Sequence, residues 1–183
     1  MDNGASSYRR FLNGDESAFD EIMERYFDSL IFFINRYVRD LHAAEDIAID
    51  VFSDILVHPH RYNFKVTFKT YLFMIGRSRA LNYIKRNRKF KTIELTEIED
   101  HIGHEFSFEE AILRSERQKA VNNALIQLND DMRAAVHLVY FEQLSYEDAA
   151  KVMKKNKKQV DNLLYRAKST LRTILTEEVD NIL

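Results

Sequence analysis

The sequence predicts an all-α protein of two small helical domains joined by a linker, with a helix-turn-helix in the C-terminal domain. Three observations lead to this fold class. Only four of the 183 residues are Gly and one is Pro, which is few for a chain rich in turns or short strands. Apolar side chains recur at three- and four-residue spacing, the period of an amphipathic helix. One acidic segment lacks that period and divides the chain.

In the N-terminal half the apolar spacing predicts three helices. Asp15 is placed to cap the first, whose apolar positions are Phe19, Ile22, Met23, Tyr26, Phe27, Leu30 and Ile34. The second covers Ala43 to Val57 and ends before Pro59, which cannot continue a helix. Its apolar face consists of Ile47, Val51 and Ile55.

After a loop, "HPHRYNFKVT", Thr67 is placed to cap a third helix from Phe68 to Arg88. Residues 90–107 have irregular apolar spacing and many acidic side chains, so we expect a linker there. The predicted domains are therefore 1–89 and 108–183. "SFEE" at 107–110 has the form of a capping box, and helices are expected at about 108–127 and 130–141.

The stretch "LSYEDAAKVMKKNKKQVDNLLYRAKSTLR", residues 144–172, has the pattern of a helix-turn-helix. Ser145 with Asp148 and Asn156 with Gln159 form two capping pairs, and two alanines at 149–150 allow close helix crossing. The second helix buries Val160, Leu164, Ala167 and Leu171. Its outer face would enter a major groove and contains Lys157, Lys158, Asp161, Asn162, Tyr165, Arg166 and Lys168. An αα-hairpin that only packs is the alternative.

The charge is strongly segregated, although the formal net charge is only −2. Residues 61–93 contain ten basic side chains and no acidic one, and residues 151–172 contain eight basic and one acidic. The stretch from His60 to Thr92 also contains seven aromatic residues. Two basic blocks in an acidic chain suggest two contacts with one polyanion. Two solvated helix faces would be the simpler explanation.

Several classes of protein find no support in the sequence. There is no Cys, which excludes disulfides and thiolate metal sites. His58, His60, His101 and His104 lie in predicted loops and are better explained by solvent exposure than by a metal. We expect no cofactor and no enzymatic activity, because the chain has no nucleotide-binding loop or nucleophile motif. No apolar run is long enough to insert in a membrane, so a cytoplasmic protein is expected.

Two sets of motifs resemble the extracytoplasmic-function (ECF) group of sigma-70 transcription initiation factors. The N-terminal half is similar to their region 2 through "GDESAFDEIMERYFDSLIFFINRYV", "AEDIAIDVFSDIL" and "TFKTYLFMIGRSRALNYIKRNRK". The C-terminal half is similar to their region 4 through the helix-turn-helix. The resemblance implies that the chain binds core RNA polymerase and promoter DNA, with an anti-sigma factor as a further potential partner. A helix-turn-helix regulator that acts without polymerase and a helical protein-binding adaptor are the alternatives.

The resemblance also implies roles for particular residues. The loop 62–68 would receive a flipped base of the −10 element, and the following helix would hold that strand; the residues are Tyr62, Asn63, Phe64, Lys65, Arg77, Arg79, Asn82, Tyr83 and Arg86. Phe68, Tyr71 and Phe73 are expected in the core. The recognition helix would read the −35 duplex. Asp46, Asp50, Phe52 and Asp54 would dock on the clamp coiled coil of the largest polymerase subunit.

The sequence departs from the family pattern at several of these positions. Lys154 stands where Gly is common in the turn of the helix-turn-helix, and Lys155 where an apolar residue is common. Asp161 and Leu163 occupy positions that are often basic, so the −35 sequence cannot be transferred from relatives. Ile49 occupies a position that is commonly polar in the family, and Ser78 occupies one where Asn is frequent.

Overall fold

The computed structural model describes residues 4–91 and 116–180, and this part of the chain is helical with no strand. The helices of the N-terminal half are α1 (Ala5–Leu12), α2 (Ser17–Val38), α3 (Leu41–Val57) and α4 (Phe68–Lys91), with a 3-10 turn at Pro59–Arg61. Those of the C-terminal half are α5 (Glu116–Gln127), α6 (Asp130–Val136), α7 (Tyr146–Met153) and α8 (Lys157–Asp180). A π-helical turn, His137–Phe141, follows α6.

The N-terminal half is a helical bundle in which α2 packs against α1, α3 and α4. Its core contains the residues predicted from the apolar spacing, among them Ile22, Leu30 and Ile34 of α2, which are almost fully buried. Gly76 allows α2 and α4 to approach closely, since a Cβ atom there would lie 2.7 Å from Leu30 Cδ1. Fully buried Phe68 and Phe73 belong to this core, as expected.

Helix starts follow the predicted capping in part. The Thr67 hydroxyl accepts a hydrogen bond from the Thr70 amide at 3.1 Å, which confirms Thr67 as the cap of α4. The structure places the N-cap of α2 at Glu16, one residue after the predicted Asp15, and the Glu16 side chain makes no capping bond. The Asp15 carboxylate accepts hydrogen bonds from Arg10 and Ser17 and also interacts with the Ala18 amide in the first turn of α2. Helix α1 was not predicted, although Tyr8, Phe11 and Leu12 have helical spacing.

The C-terminal half packs directly on the N-terminal half. Helix α4 contacts α7, and α2 contacts α6. The expected acidic linker at 90–107 lies outside the described residues apart from its first two, which belong to α4. The capping box at 107–110, His101, His104 and the first part of the helix expected from 108 are also outside them. The described helices of the two halves therefore pack into one body. We call this arrangement, with α4 against α7 and α2 against α6, the closed form.

Candidate nucleic-acid interface

The helix-turn-helix is built by local hydrogen bonds that the sequence predicts. The Ser145 hydroxyl accepts from the Asp148 amide at 3.1 Å and donates to the Asp148 carboxylate at 2.8 Å. At α8 the Gln159 amide donates to Asn156 Oδ1 at 2.8 Å, and the Asn156 amide donates to Gln159 Oε1 at 2.9 Å. The bonds of the Asn156–Gln159 pair satisfy two otherwise unpaired amides. The Ser145–Asp148 pair satisfies one, because the Asp148 carboxylate accepts from the Ser145 hydroxyl. Both capping pairs are thus confirmed, and they set the start of each helix.

The turn between α7 and α8 has a left-handed residue at Lys154, with φ 54° and ψ 43°. This conformation explains why Gly is common at the position, because a side chain there costs backbone energy. The Lys155 amide donates to the Ala150 carbonyl at 2.9 Å, which closes the turn. The Lys155 ammonium lies 2.9 Å from Asp131 Oδ2 in α6, so this basic residue has a structural partner.

The predicted outer face of the recognition helix α8 is exposed, although the Lys157 ammonium pairs with Glu147 of α7 at 3.0 Å. All seven residues assigned to it are exposed, and Tyr165 retains 76% of its accessible surface. The buried face consists of Val160, Leu164 and Ala167, as predicted, with Leu171 partly buried. Lys168 lies 5.4 Å from the centre of the Tyr140 ring, and its hydrogen bond to Tyr140 raises the pKa of its ammonium group. Tyr140 was not recognised in the sequence.

The loop before α4 is held by its own polar groups. The Tyr62 hydroxyl donates to the Val66 carbonyl at 2.6 Å, and the Asn63 side chain accepts from the Lys65 amide at 3.1 Å. Tyr62 is only 4% exposed and stacks on Tyr71, so its ring supports the loop from inside. Phe64 is 37% exposed and adopts a left-handed backbone with φ 61°. An aromatic residue in that conformation is unusual and often marks a functional loop.

A cleft of about 590 Å³ lies where α3 and α4 face α7. It brings together four of the predicted strand-binding residues, namely Arg79, Asn82, Tyr83 and Arg86. Arg77 lies elsewhere on α4, with its guanidinium 5.9 Å from the centre of the Tyr37 ring. The opposite wall contains Lys151 and Lys154 of the helix-turn-helix, which the sequence alone did not associate with this surface. The cleft therefore combines cationic side chains from both halves.

The acidic residues of α3 differ in their surroundings. Asp46 and Asp50 are exposed, whereas Asp54 is 24% exposed and lies 2.8 Å from Arg61 Nη1. Arg79 Nη1 lies 3.8 Å from Asp50 Oδ2, and Arg79 Nη2 lies 3.5 Å from Asp54 Oδ2. A predicted strand-binding cation is thus paired with two predicted docking carboxylates.

Phe52 is buried, with 2% of its surface exposed, and packs against Phe19 and Phe27. It can support the docking face only through the core. None of the helices in the described residues is both long and apolar enough to cross a bilayer.

Comparison with known proteins agrees with this architecture. Sigma-70 region 2 matches residues 22–90, and sigma-70 region 4 matches residues 118–171. The RNA polymerase sigma-H factor of Pseudomonas aeruginosa is 31% identical over 88% of this chain and 88% of its own. The ECF RNA polymerase sigma factor SigM of Bacillus subtilis is 26% identical over 88% of this chain and 98% of its own.

Solved structures have the same fold. The sigma factor RpoE of Bartonella quintana, in complex with the anti-sigma factor NepR, matches with a TM-score of 0.68 and 23% identity over 86% of this chain and 96% of RpoE. CnrH in complex with the cytosolic domain of CnrY matches with a TM-score of 0.63 and 18% identity over 96% of each chain.

The fold and the exposed helix-turn-helix define a two-domain, DNA-binding transcription factor. The chain belongs to the sigma-70 family, within the ECF group, and is a transcription initiation factor. Its family consists of initiation factors rather than enzymes.

Proposed function

We propose that the two halves of this sigma factor divide the promoter between them. The recognition helix α8 reads the −35 duplex, while the loop 62–67 and the cleft face of α4 hold the unstacked −10 strand. The observation that supports this division is the contrast between the two surfaces. The α8 side chains project from a convex helix, which suits a major groove. Arg79 and Arg86 instead share one face of α4 with the rings of Tyr71 and Tyr83, a combination of cations and aromatic side chains that suits single-stranded DNA.

The acidic face of α3 is the proposed contact with the clamp coiled coil of core RNA polymerase. Asp50 keeps 71% of its side-chain surface exposed, so a cation on the polymerase can reach it while it lies near Arg79. Such a contact would draw Asp50 away from Arg79, which would then keep only Asp54 as a carboxylate neighbour and bind a DNA phosphate more readily. Polymerase docking and strand capture are then coupled through one side chain.

The closed packing of the two halves has a consequence for the isolated chain. Helix α7 forms the far wall of the cleft, so it restricts the access of a DNA strand to α4. We therefore expect weak, unspecific binding of promoter DNA by the isolated chain. Core polymerase would enable specific binding by separating the two halves.

Regulation by an anti-sigma factor is proposed on the likeness to RpoE, which was solved in complex with the anti-sigma factor NepR, and to CnrH, which was solved with the cytosolic domain of CnrY. The site of action would be the cytoplasm, where polymerase transcribes. Co-expression with the product of a neighbouring gene, followed by polymerase competition, tests this partner. Competition by that product for core enzyme supports it, and unaltered sigma activity contradicts it.

The docking proposal is tested with three variants of α3 and purified core enzyme. Asp46→Arg reverses an exposed charge that makes no ion pair within the described residues, so it reports docking alone. Asp50→Arg also disturbs Arg79, and Asp50→Asn removes one of the two carboxylates beside Arg79 without charge reversal. We expect both reversals to weaken binding to core about tenfold or more, since like charges across an interface cost several kcal/mol. Unchanged affinity for core would refute this docking face.

Promoter opening with core enzyme, followed by base fluorescence, tests the function as a whole. A regulator that acts without polymerase would instead bind duplex DNA tightly and specifically on its own. An adaptor would bind neither DNA nor core. In vitro transcription from a promoter-containing template distinguishes these three outcomes.

A further inference from the structure

Helix α1 is anchored beside the loop that is proposed to receive the −10 base. Tyr8 is fully buried, and its hydroxyl donates to the Pro59 carbonyl at 2.6 Å. Its ring stacks on Phe68 at 4.7 Å and meets Tyr62 edge-on at 5.2 Å. These contacts hold the last turn of α1 next to the loop, although the two segments are about fifty residues apart in the chain.

The residue that follows Tyr8 covers the exposed ring of that loop. The Arg9 guanidinium carbon lies 5.1 Å from the centre of the Phe64 ring, which is within cation–π distance. Phe64 in turn contacts Tyr62 at 4.5 Å between ring centres. Phe64 has a left-handed backbone, and its ring also meets the Tyr8 ring of α1 at 6.2 Å between centres. Arg9 therefore contacts a ring that remains partly exposed, with 37% of the Phe64 surface accessible.

Arg9 and its neighbour Arg10 have opposite surroundings. Arg10 pairs with Asp15 at 2.6 Å and with Glu21 at 2.9 Å, so its charge is satisfied within the bundle. Within the described residues Arg9 has no carboxylate at ion-pair distance and is exposed. It also lies beside the basic block of residues 61–93, which contains no acidic residue. An exposed cation over a ring, without a carboxylate, is available to a phosphate.

We propose that Arg9 is a further residue of the −10 strand site, acting together with Phe64. In the isolated chain Arg9 covers the Phe64 ring, and when an unstacked base stacks on that ring, the guanidinium moves to the adjacent phosphate. Aromatic side chains bind unstacked bases of any sequence, and arginine binds phosphate through parallel N–H donors. The inference rests on the proposed role of the loop and adds a residue from a different part of the chain.

The test measures binding of a short fluorescein-labelled oligothymidylate to the complex with core polymerase, in a salt titration. The variants are Arg9→Ala, Arg9→Lys and the matched control Arg10→Ala, with core enzyme alone as the baseline. We expect Arg9→Ala to weaken strand binding about three- to tenfold and to lower the salt slope by about 0.7. Arg9→Lys should keep the salt slope and lose part of the affinity, because lysine keeps the charge but not the planar group.

Arg10→Ala should leave both affinity and slope close to those of the unsubstituted chain. Equal affinities for Arg9→Ala and the unsubstituted chain would overturn the inference, as would equal losses in Arg9→Ala and Arg10→Ala. If the unsubstituted chain adds no strand binding to core, the proposed function fails and the inference fails with it. Circular dichroism melting shows that the variants are folded, and Arg9→Lys keeps the test decisive if Arg9→Ala is unstable.

Discussion

Lys69 and Glu142 form an ion pair that joins the two halves of the molecule. Lys69 Nζ in α4 lies 2.7 Å from Glu142 Oε2 and also donates to the Glu142 carbonyl at 2.7 Å. Their side chains are 19% and 7% exposed. On the other side, His137 Nε2 lies 3.2 Å from Glu142 Oε1. Glu142 directly follows the π-helical turn. The Glu142 amide donates to the His137 carbonyl, five residues earlier, at 3.0 Å, which is the hydrogen bond of a π-helix.

The first prediction concerns Lys69→Met. Removing one partner of a buried pair leaves the other charge in a poorly solvated place. We expect a cost of about 3 kcal/mol, at the low end for buried pairs because Lys69 keeps 19% exposure. The cost should appear as separation of the two halves, because Glu142 can reach water by opening. Small-angle scattering should give a larger radius of gyration, and limited proteolysis between the halves should become faster.

Lys85→Met is the matched control for Lys69→Met, since Lys85 lies on the same helix and is exposed. It should leave the radius of gyration unchanged. If Lys69→Met remains as compact as the unsubstituted chain, the ion pair does not hold the halves together, and apolar packing alone maintains the closed form.

The second prediction concerns pH. Burial lowers the pKa of His137 below its usual 6.5, against the opposing effect of Glu142, and the charges of Arg36 and Lys69 add to the lowering. Burial would raise the pKa of Glu142, but the neighbouring His137 imidazole and Lys69 ammonium outweigh burial and hold that pKa below the usual 4.5. In both cases the unfolded chain binds more protons on acidification, so stability must fall.

The loss of folding stability due to His137 begins as the pH drops below about 6.5, the ordinary pKa of histidine. The loss due to Glu142 begins only below 4.5, the ordinary pKa of that carboxyl group. Urea unfolding between about pH 7 and about pH 5.5 should show this decline. His137→Gln, which keeps a donor near Glu142 but does not titrate, should flatten the curve in that range. An unchanged slope in His137→Gln would assign the pH dependence to other groups.

The third prediction concerns the strained turn of the helix-turn-helix. Lys154→Gly should stabilise the chain by about 1 kcal/mol, because glycine tolerates the left-handed conformation that Lys154 adopts. Lys151→Gly, inside α7, should instead destabilise by about 1 kcal/mol. Urea midpoints of both variants check the two signs. A destabilised Lys154→Gly would mean that the lysine side chain contributes more than its backbone strain costs.

The fourth prediction separates the two DNA contacts in the complex with core polymerase. Lys157→Ala with Lys158→Ala should weaken binding to the upstream duplex and spare a single-stranded −10 oligonucleotide. Arg79→Ala with Arg86→Ala should do the reverse and slow promoter opening. Each lost phosphate contact should lower the salt slope by about 0.9 on duplex and about 0.7 on single strands.

Arg77→Ala provides a comparison on the same helix, since the structure places Arg77 near Tyr37 and away from the cleft. Its effect on strand binding should be smaller than that of Arg79→Ala. If the Lys157/Lys158 variant and the Arg79/Arg86 variant weaken the binding of duplex and of single strand equally, the two basic regions form one diffuse electrostatic surface instead of two sites.

The sequence alone was sufficient for features that depend on neighbours within a few residues. The apolar spacing predicted α2, α3, α4 and α8, and the capping pairs at 145–148 and 156–159 formed as expected, because helix periodicity and end capping are local. The exposed face of α8 followed from the same period. The separation of basic and acidic residues into blocks was also evident from the sequence, since it requires no knowledge of packing.

Features that join distant residues were decided only by the tertiary structure. Sequence spacing could not show that Phe52 and Tyr62 are enclosed by other rings, or that Arg79 lies between two carboxylates of α3. Nor could it place Arg9 over Phe64, or Lys69 against Glu142. The reason is physical: these contacts depend on how helices cross in three dimensions, and burial and ion pairing arise only when that packing is complete.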